Sequence, residues 1–111
     1  MTESEFLTLA EATLDAIEQA LERLAESSDL DVECSRAGNV LEIELIDAGS
    51  KIIVNSQTPM REIWVAARSG GFHYKRIGEE WRDTRNGDEL FAALSNAISA
   101  QAGQPVRLLA G

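Results

Sequence analysis

The stretch LDVECSRAGNVLEIELIDAGSKIIVN, residues 30–55, decides the architecture. Leu30, Val32 and Cys34 alternate with Asp31 and Glu33. Leu41, Ile43 and Leu45 alternate with Glu42 and Glu44, and Lys51–Asn55 sets Ile52 and Val54 between Lys51, Ile53 and Asn55. Successive side chains of a strand point to opposite faces, so an apolar residue at every second position marks a strand with one dry face and one wet face. Ala37-Gly38-Asn39 and Asp47-Ala48-Gly49 supply the turn residues between the runs. Together they predict an antiparallel meander of three strands.

Downstream, Pro59 breaks the chain. Glu62–Ala67 predicts a fourth strand, and Ser69-Gly70-Gly71 turns into a fifth, Phe72–Ile77. Gly78 sets off a short run around Trp81, and Asn86-Gly87 is another turn. Asp88 is in position to cap a helix with Leu90, Phe91, Leu94 and Ile98 as its apolar stripe. Gly103 is its stop, Pro105 prevents continuation, and the tail Val106–Leu109 is apolar enough to dock. Upstream, Phe6, Leu9, Ala10, Thr13, Leu14, Ile17, Leu21 and Leu24 recur at three- and four-residue spacing. That spacing predicts one amphipathic helix over residues 4 to about 26, roughly 35 Å long, with Ser4 as N-cap and Ser27-Ser28 as its end. Helix, about six strands, helix is the α+β pattern: a two-layer sandwich with both helices on one face of an antiparallel sheet.

A chain of 111 residues fits one domain, 1–111, and its 44% hydrophobic and 26% charged content is ordinary for a globular fold. No apolar run approaches the ~20 residues of a membrane span. Met1–Phe6 holds two acids and no base, which argues against a secretory or transit segment. The single cysteine, Cys34, excludes an internal disulfide and points to a reducing cytoplasm. Its parity with Leu30 and Val32 predicts a buried, inert thiol. His73 is the only histidine, no Ser or Cys has an identifiable base, and there is no P-loop or dinucleotide fingerprint. Nothing in the pattern points to an enzyme.

The charge is unevenly placed. Residues 1–33 hold ten acids against Arg23 alone, a net −9, while residues 34–111 hold nine acids and nine bases. Such a field disfavours nucleic acid and attracts cations or basic protein patches. Glu11, Asp15, Glu18, Glu22 and Glu26 follow at spacings of four, three, four and four, which lines them into one ridge roughly opposite the apolar stripe. Asp29, Asp31 and Glu33 continue it, with Glu44 on the second strand. Over residues 11–33 only Arg23 sits among these acids. A solvated helix face is the plain alternative, but the near-absence of bases over 33 residues weighs against it. Carboxylates without His or Cys suit hard cations such as iron, manganese, calcium or magnesium rather than zinc or copper. A convex row gives weak, multi-site, salt-sensitive binding, and a basic partner patch would fit it equally well. The solvated sheet face is the second surface. If Ile63 and Val65 point at the helices, Trp64 stands outward among Ile53, Asn55, Gln57 and His73 as a candidate interface anchor; a reversed register would bury it instead. Trp81 is read as core.

The run Gly49-Ser50-Lys51-Ile52-Ile53-Val54-Asn55-Ser56-Gln57-Thr58-Pro59 resembles the central segment of the frataxin family. Ile63-Trp64-Val65-Ala66, Gly70-Gly71-Phe72-His73-Tyr74, the later Trp81 and the opening Ser4-Glu5-Phe6 with its acidic helix are similar too. The likeness covers the whole chain in order, and the Asn-x-Gln-x-Pro, Trp, Gly-Gly combination is specific. The resemblance implies two helices on an antiparallel sheet. It also implies a cytoplasmic, non-enzymatic protein of iron–sulfur cluster assembly that binds ferrous and ferric iron weakly on its acidic ridge. Its implied partners are the cysteine desulfurase and scaffold of that machinery, which it regulates or supplies with iron, acting as a monomer without iron. Carried over by position, the metal-binding residues are Glu11, Asp15, Glu18, Glu22, Glu26, Asp29, Asp31 and Glu33. The partner-binding residues are Glu18, Glu22, Asp31, Asn55, Gln57 and Trp64. Where bacterial members have adjacent acids this chain has Glu18-Gln19 and Glu22-Arg23, with Ser at 27, so its ridge is thinner. A pure protein-interaction module, with iron incidental, stays open beside the iron reading.

Overall fold

In a computed structural model, which describes residues 1–109, helix α1 (Glu3–Ser27) leads into six strands. These are β1 (Val32–Ala37), β2 (Val40–Leu45), β3 (Ser50–Gln57), β4 (Glu62–Ala67), β5 (Gly70–Ile77) and β6 (Glu80–Asp83), followed by helix α2 (Leu90–Ala102). The strands form one antiparallel sheet in chain order, β1 to β6. Alternation sets its register. Ile43 pairs with Ile52, Val54 with Val65 and Ile63 with Tyr74, and all six are buried beneath the helices. Burying a Leu, Ile or Val fully is worth about 1.5–3 kcal/mol over leaving it exposed. A slip of one residue would turn that whole set to water, which is why the register holds.

The helices close the other layer. Phe6, Leu14, Ile17 and Leu21 from α1 and Leu90, Leu94 and Ile98 from α2 complete the core. Phe6 meets Trp81 edge-to-face, with ring centroids 6.0 Å apart. The Trp81 indole N–H donates to Thr13 Oγ1 at 2.8 Å, tying β6 to α1 through a buried bond. Trp81 is core, as expected. The tail docks too: Leu108 N–H donates to Ser95 Oγ and Val106 N–H to Ser99 Oγ, each at 2.9 Å, and Leu108 is buried. Among the described residues no helix is long and apolar enough to cross a membrane.

Some boundaries differ from the expectation. Thr2, not Ser4, caps α1: its side chain accepts from Glu5 N–H while Glu5 returns a bond to Thr2 N–H, a reciprocal box that starts the helix one residue earlier. Glu89, not Asp88, caps α2, its carboxylate accepting from Phe91 and Ala92 N–H. The first strand begins at Val32 because Ser28 shapes the exit from α1, donating to Leu24 C=O and accepting from Leu30 N–H. Gly103 ends α2 at φ 73°, a left-handed cap that glycine adopts without strain.

Candidate functional site

Helix α1 presents Glu11, Asp15, Glu22 and Glu26 to solvent and Glu18 half-buried, with Asp29 and Asp31 exposed on the loop to β1. Of these, Glu11, Asp15 and Glu18 lie along the flank of α1 that faces β1. Arg36 shows it. On β1, Val32, Cys34 and Arg36 point toward the helix, while Glu33, Ser35 and Ala37 point away. Arg36 reaches up to the band. Its guanidinium pairs with Glu18 at 3.1 Å and Glu11 at 3.6 Å, and most closely with Asp15. Partial burial opposes its charge, but the hydrogen bonds to Glu18 and Asp15 outweigh that and hold its pKa above the ordinary arginine value. The Arg23 guanidinium donates to Leu109 C=O of the tail and shares a recess with Glu26 and Arg107.

Glu33 departs further from expectation. It lies on the open face of the sheet, where it pairs in register with Glu44, two acids side by side. The acidic band thus bends around the β1 edge. Glu44 in turn lies beside Lys51, whose ammonium bonds Glu42 at 2.8 Å and is held above its usual pKa by that bond and by the charges of Glu42 and Glu44. Cys34 is half-buried rather than buried. Burial first, then the charges of Glu18 and Glu22, push its thiol up to about 11, so it is inert toward electrophiles near neutrality. Among the described residues no three of His, Cys, Asp and Glu converge tightly enough to hold a metal ion in one cage.

The open face carries the second group. Asn55, Trp64 and His73 are cross-strand neighbours in one row. Trp64 lies flat on His73, centroids 4.3 Å apart and planes within 7°. Gln57 Nε2 donates to Asn55 Oδ1 at 2.6 Å, so the three predicted partner residues of the sheet do share one patch. Sequence reading missed its buried member. Glu62 is 5% exposed although it stands on the outer face. Its Oε1 accepts from the Trp64 indole at 2.8 Å and lies 3.5 Å from His73 Nδ1, with Lys75 4.0 Å from its other oxygen. The i, i+2 spacing of Glu62 and Trp64 was the available signal, because such residues share a face. Arg36 had a comparable one: an inward-pointing arginine on a strand next to an acidic helix. A recess of about 650 Å³ between the helices and the tail, lined by Leu9, Ala16, Trp81, Phe91 and Leu108, adjoins neither group.

A six-stranded meander under two helices, with an acidic first helix, can be compared with known proteins. Residues 1–104 match the frataxin-like domain family. The chain belongs to the frataxin family. A frataxin relative from Janthinobacterium sp. (strain Marseille), called iron-sulfur cluster assembly protein CyaY, is 70% identical over 108 residues, covering 97% of this chain and 96% of that one. Frataxin from Psychromonas ingrahamii superposes with a TM-score of 0.79 at 36% identity, over 96% of this chain and 97% of that one. Trimeric frataxin from Saccharomyces cerevisiae, solved in complex with ferrous iron, superposes with a TM-score of 0.70 at 29% identity, over 86% and 87%. The frataxin fold expected from the motif Asn55-x-Gln57-x-Pro59 and from strand parity is the fold observed.

Proposed function

We propose that this protein is a non-catalytic, cytoplasmic component of iron–sulfur cluster assembly, one frataxin-like domain over 1–111. It binds Fe2+ and Fe3+ weakly on the band Glu11, Asp15, Glu18, Glu22, Glu26, Asp29, Asp31 and Glu33. It docks on the cysteine desulfurase and scaffold through Glu18, Glu22, Asp31 and the sheet patch Asn55, Gln57 and Trp64, and so regulates cluster formation and iron supply. The observation that carries this reading is the run of exposed acids on α1 and the loop after it, with Glu33 around the β1 edge. Hard oxygen ligands suit iron as cargo, and carboxylates spread over an open surface suit reversible loading. The likeness to relatives named for cluster assembly, and to a yeast frataxin solved with ferrous iron, supports the assignment.

A second reading has its own observation. The guanidinium of Arg36 already sits on three ridge carboxylates, so the band accommodates an arginine directly, and a basic partner patch would use it without iron. One titration separates the two. Ferrous iron added without oxygen, followed by amide NMR, is expected to broaden residues 11–33 and spare α2. Desulfurase added afterwards is expected to perturb the band plus Asn55, Gln57 and Trp64. Reversing the charge of Glu18, Glu22 and Asp31 together should abolish both effects, and the assignment fails if neither changes. Equal desulfurase affinity in chelator and in added iron would favour the second reading.

A further inference from the structure

We propose that the recess between α2 and the inner face of β4, β5 and β6 binds a small organic ammonium ion, with Asp83 and Tyr74 receiving the charged head and Val65 and Phe72 the hydrocarbon part. The inference is independent of the cluster-assembly reading above. No described residue of α1 lines this recess, and Trp64 stands on the other face of the sheet.

The recess follows from small side chains. Ala93 and Ala97, one turn apart on α2, and Ala67 on β4 are too short to fill the space beside Val65 and Phe72, and about 160 Å³ is left. An apolar cavity of about 150 Å³ holds a benzene ring, so a ligand of roughly eight non-hydrogen atoms fits a recess with an open rim. Exposed Ser69, Asn86, Asp88 and Asn96 form that rim. Two polar groups lie within. Asp83 is 4% exposed and Tyr74 2%. Asp83 accepts the N–H of Arg85 at 2.7 Å and of Asn86 at 3.3 Å, both at Oδ1. It makes no ion pair among the described residues. Its Oδ2 and the Tyr74 hydroxyl make no hydrogen bond among the described residues, yet no fully buried side-chain nitrogen or oxygen among them lacks a partner. Both atoms are therefore accessible, and the recess is the opening that both residues line.

The chemistry selects the ligand. A carboxylate taken out of water costs free energy unless a counter-charge and hydrogen bonds meet it. The Arg85 guanidinium does not supply one, since it donates to Gly71 C=O at 2.7 Å and its Cζ lies 5.6 Å from the Phe72 ring centroid. An ammonium head, all donors and no acceptor, matches Asp83 Oδ2 and the Tyr74 oxygen. Burial first, then the charges of Asp83, Asp88 and Glu89, push the Tyr74 hydroxyl up to about 12, so it stays neutral and stands in a field that favours a cation. A bare metal ion fits less well, because Asp83 and Asp88 among amide, hydroxyl and apolar groups replace little of its hydration shell. An anion is repelled by the same pair. The site is held ready: Asp83 N–H donates to Asp88 C=O at 2.8 Å, and Asp88 N–H to Asn86 Oδ1 at 2.9 Å.

The test is a titration with benzylammonium chloride at neutral pH and physiological salt, read by amide NMR, with benzyl alcohol as the neutral isostere. Benzylammonium should shift Tyr74, Asp83, Asn86, Ala93 and Ala97 saturably, with a dissociation constant on the order of 1 mM. Benzyl alcohol should bind roughly tenfold more weakly or worse. Asp83→Asn keeps the acceptor for both backbone N–H groups and removes the charge, so it should weaken benzylammonium roughly tenfold or more and leave benzyl alcohol unchanged. Tyr74→Phe should weaken benzylammonium roughly two- to tenfold. Ala97→Leu fills the recess and should abolish binding of both probes; it decides the question if Asp83→Asn does not fold, and binding that survives it places the ligand elsewhere. Equal affinity for the two probes overturns the ammonium assignment, as does an Asp83→Asn variant that binds as tightly as the parent. Shifts confined to residues 11–33, or no saturable shift at the recess below about 20 mM, overturn the site itself.

Discussion

Replacing Glu62 by alanine is expected to loosen the Trp64–His73 platform and destabilise the protein by about 1.5–2 kcal/mol. The magnitude follows from the contacts. A hydrogen bond to a charged acceptor is worth about 1.5–3 kcal/mol, and the Trp64 indole makes one to Glu62 at 2.8 Å. Trp64 is half-exposed, so water can replace part of that bond and the lower end of the range applies. The His73 and Lys75 side chains are 48% and 58% exposed, which leaves their contacts with Glu62 at no more than about 0.5 kcal/mol together. Glu62→Gln keeps an oxygen acceptor for the indole and should cost under about 1 kcal/mol. Urea unfolding would read the alanine variant as a midpoint lowered by roughly 1 M. The indole proton of Trp64 should move upfield and exchange faster with solvent in Glu62→Ala, and change little in Glu62→Gln. A contrary force exists, since desolvating a carboxylate costs free energy and apolar replacement of buried charge sometimes stabilises. An alanine variant as stable as the parent, with an unmoved indole signal, would show that desolvation cancels the bond and that Glu62 does not position Trp64.

Thr13→Val should cost about 1–3 kcal/mol in chemical denaturation, because it strands the buried Trp81 N–H, while Thr13→Ser should cost much less. Leu108→Ala should lower stability by about 2–3 kcal/mol and free the tail from Ser95 and Ser99; unchanged amide exchange at Leu108 would contradict its docked position. Cys34 should react with iodoacetamide at pH 8 roughly 100-fold more slowly than a thiol at the ordinary value of 9.0, since a pKa of about 11 leaves that much less thiolate. Glu26→Lys should raise the melting temperature by relieving about 0.5–1 kcal/mol of repulsion at the helix C-terminus, while weakening ferrous-iron loading in the same sample.

The sheet was legible because its apolar core rows, Leu41-Ile43-Leu45, Ile52-Val54 and Ile63-Val65, each keep a period of two. Even the outward stance of Trp64 could be read from Ile63 and Val65. What escaped was whatever depended on reach. Alternation along β1 puts Arg36 on the helix side, but only the height of α1 above that strand decides that its guanidinium meets Glu11, Asp15 and Glu18. Glu33 was strung onto the ridge because it follows Asp31 in sequence, whereas strand parity sends it to the other face. Glu62 is outward by parity and buried by its neighbours, and no periodicity reports that. The caps moved by a residue or two, because Thr2 and Ser4, like Asp88 and Glu89, are competent caps and geometry chose between them.

The placement of the unpaired acids argues for a role beyond folding. A helix carries partial negative charge at its C-terminus, so acids there oppose the macrodipole and bases favour it. The last turn of α1 contains no base, Glu22 and Glu26 lie close to it, and Asp29 and Asp31 follow at once. The first turn shows the opposite and stabilising arrangement, with Glu3 and Glu5 at the positive end and a reciprocal cap. One helix therefore obeys the electrostatic rule at one end and breaks it at the other. Arg36 pairs with Glu11, Asp15 and Glu18, whereas Glu22, Asp29 and Asp31 make no ion pair among the described residues. Unrelieved repulsion of this kind lowers stability and is relieved when a cation arrives from outside, whether a metal ion or a partner's arginine.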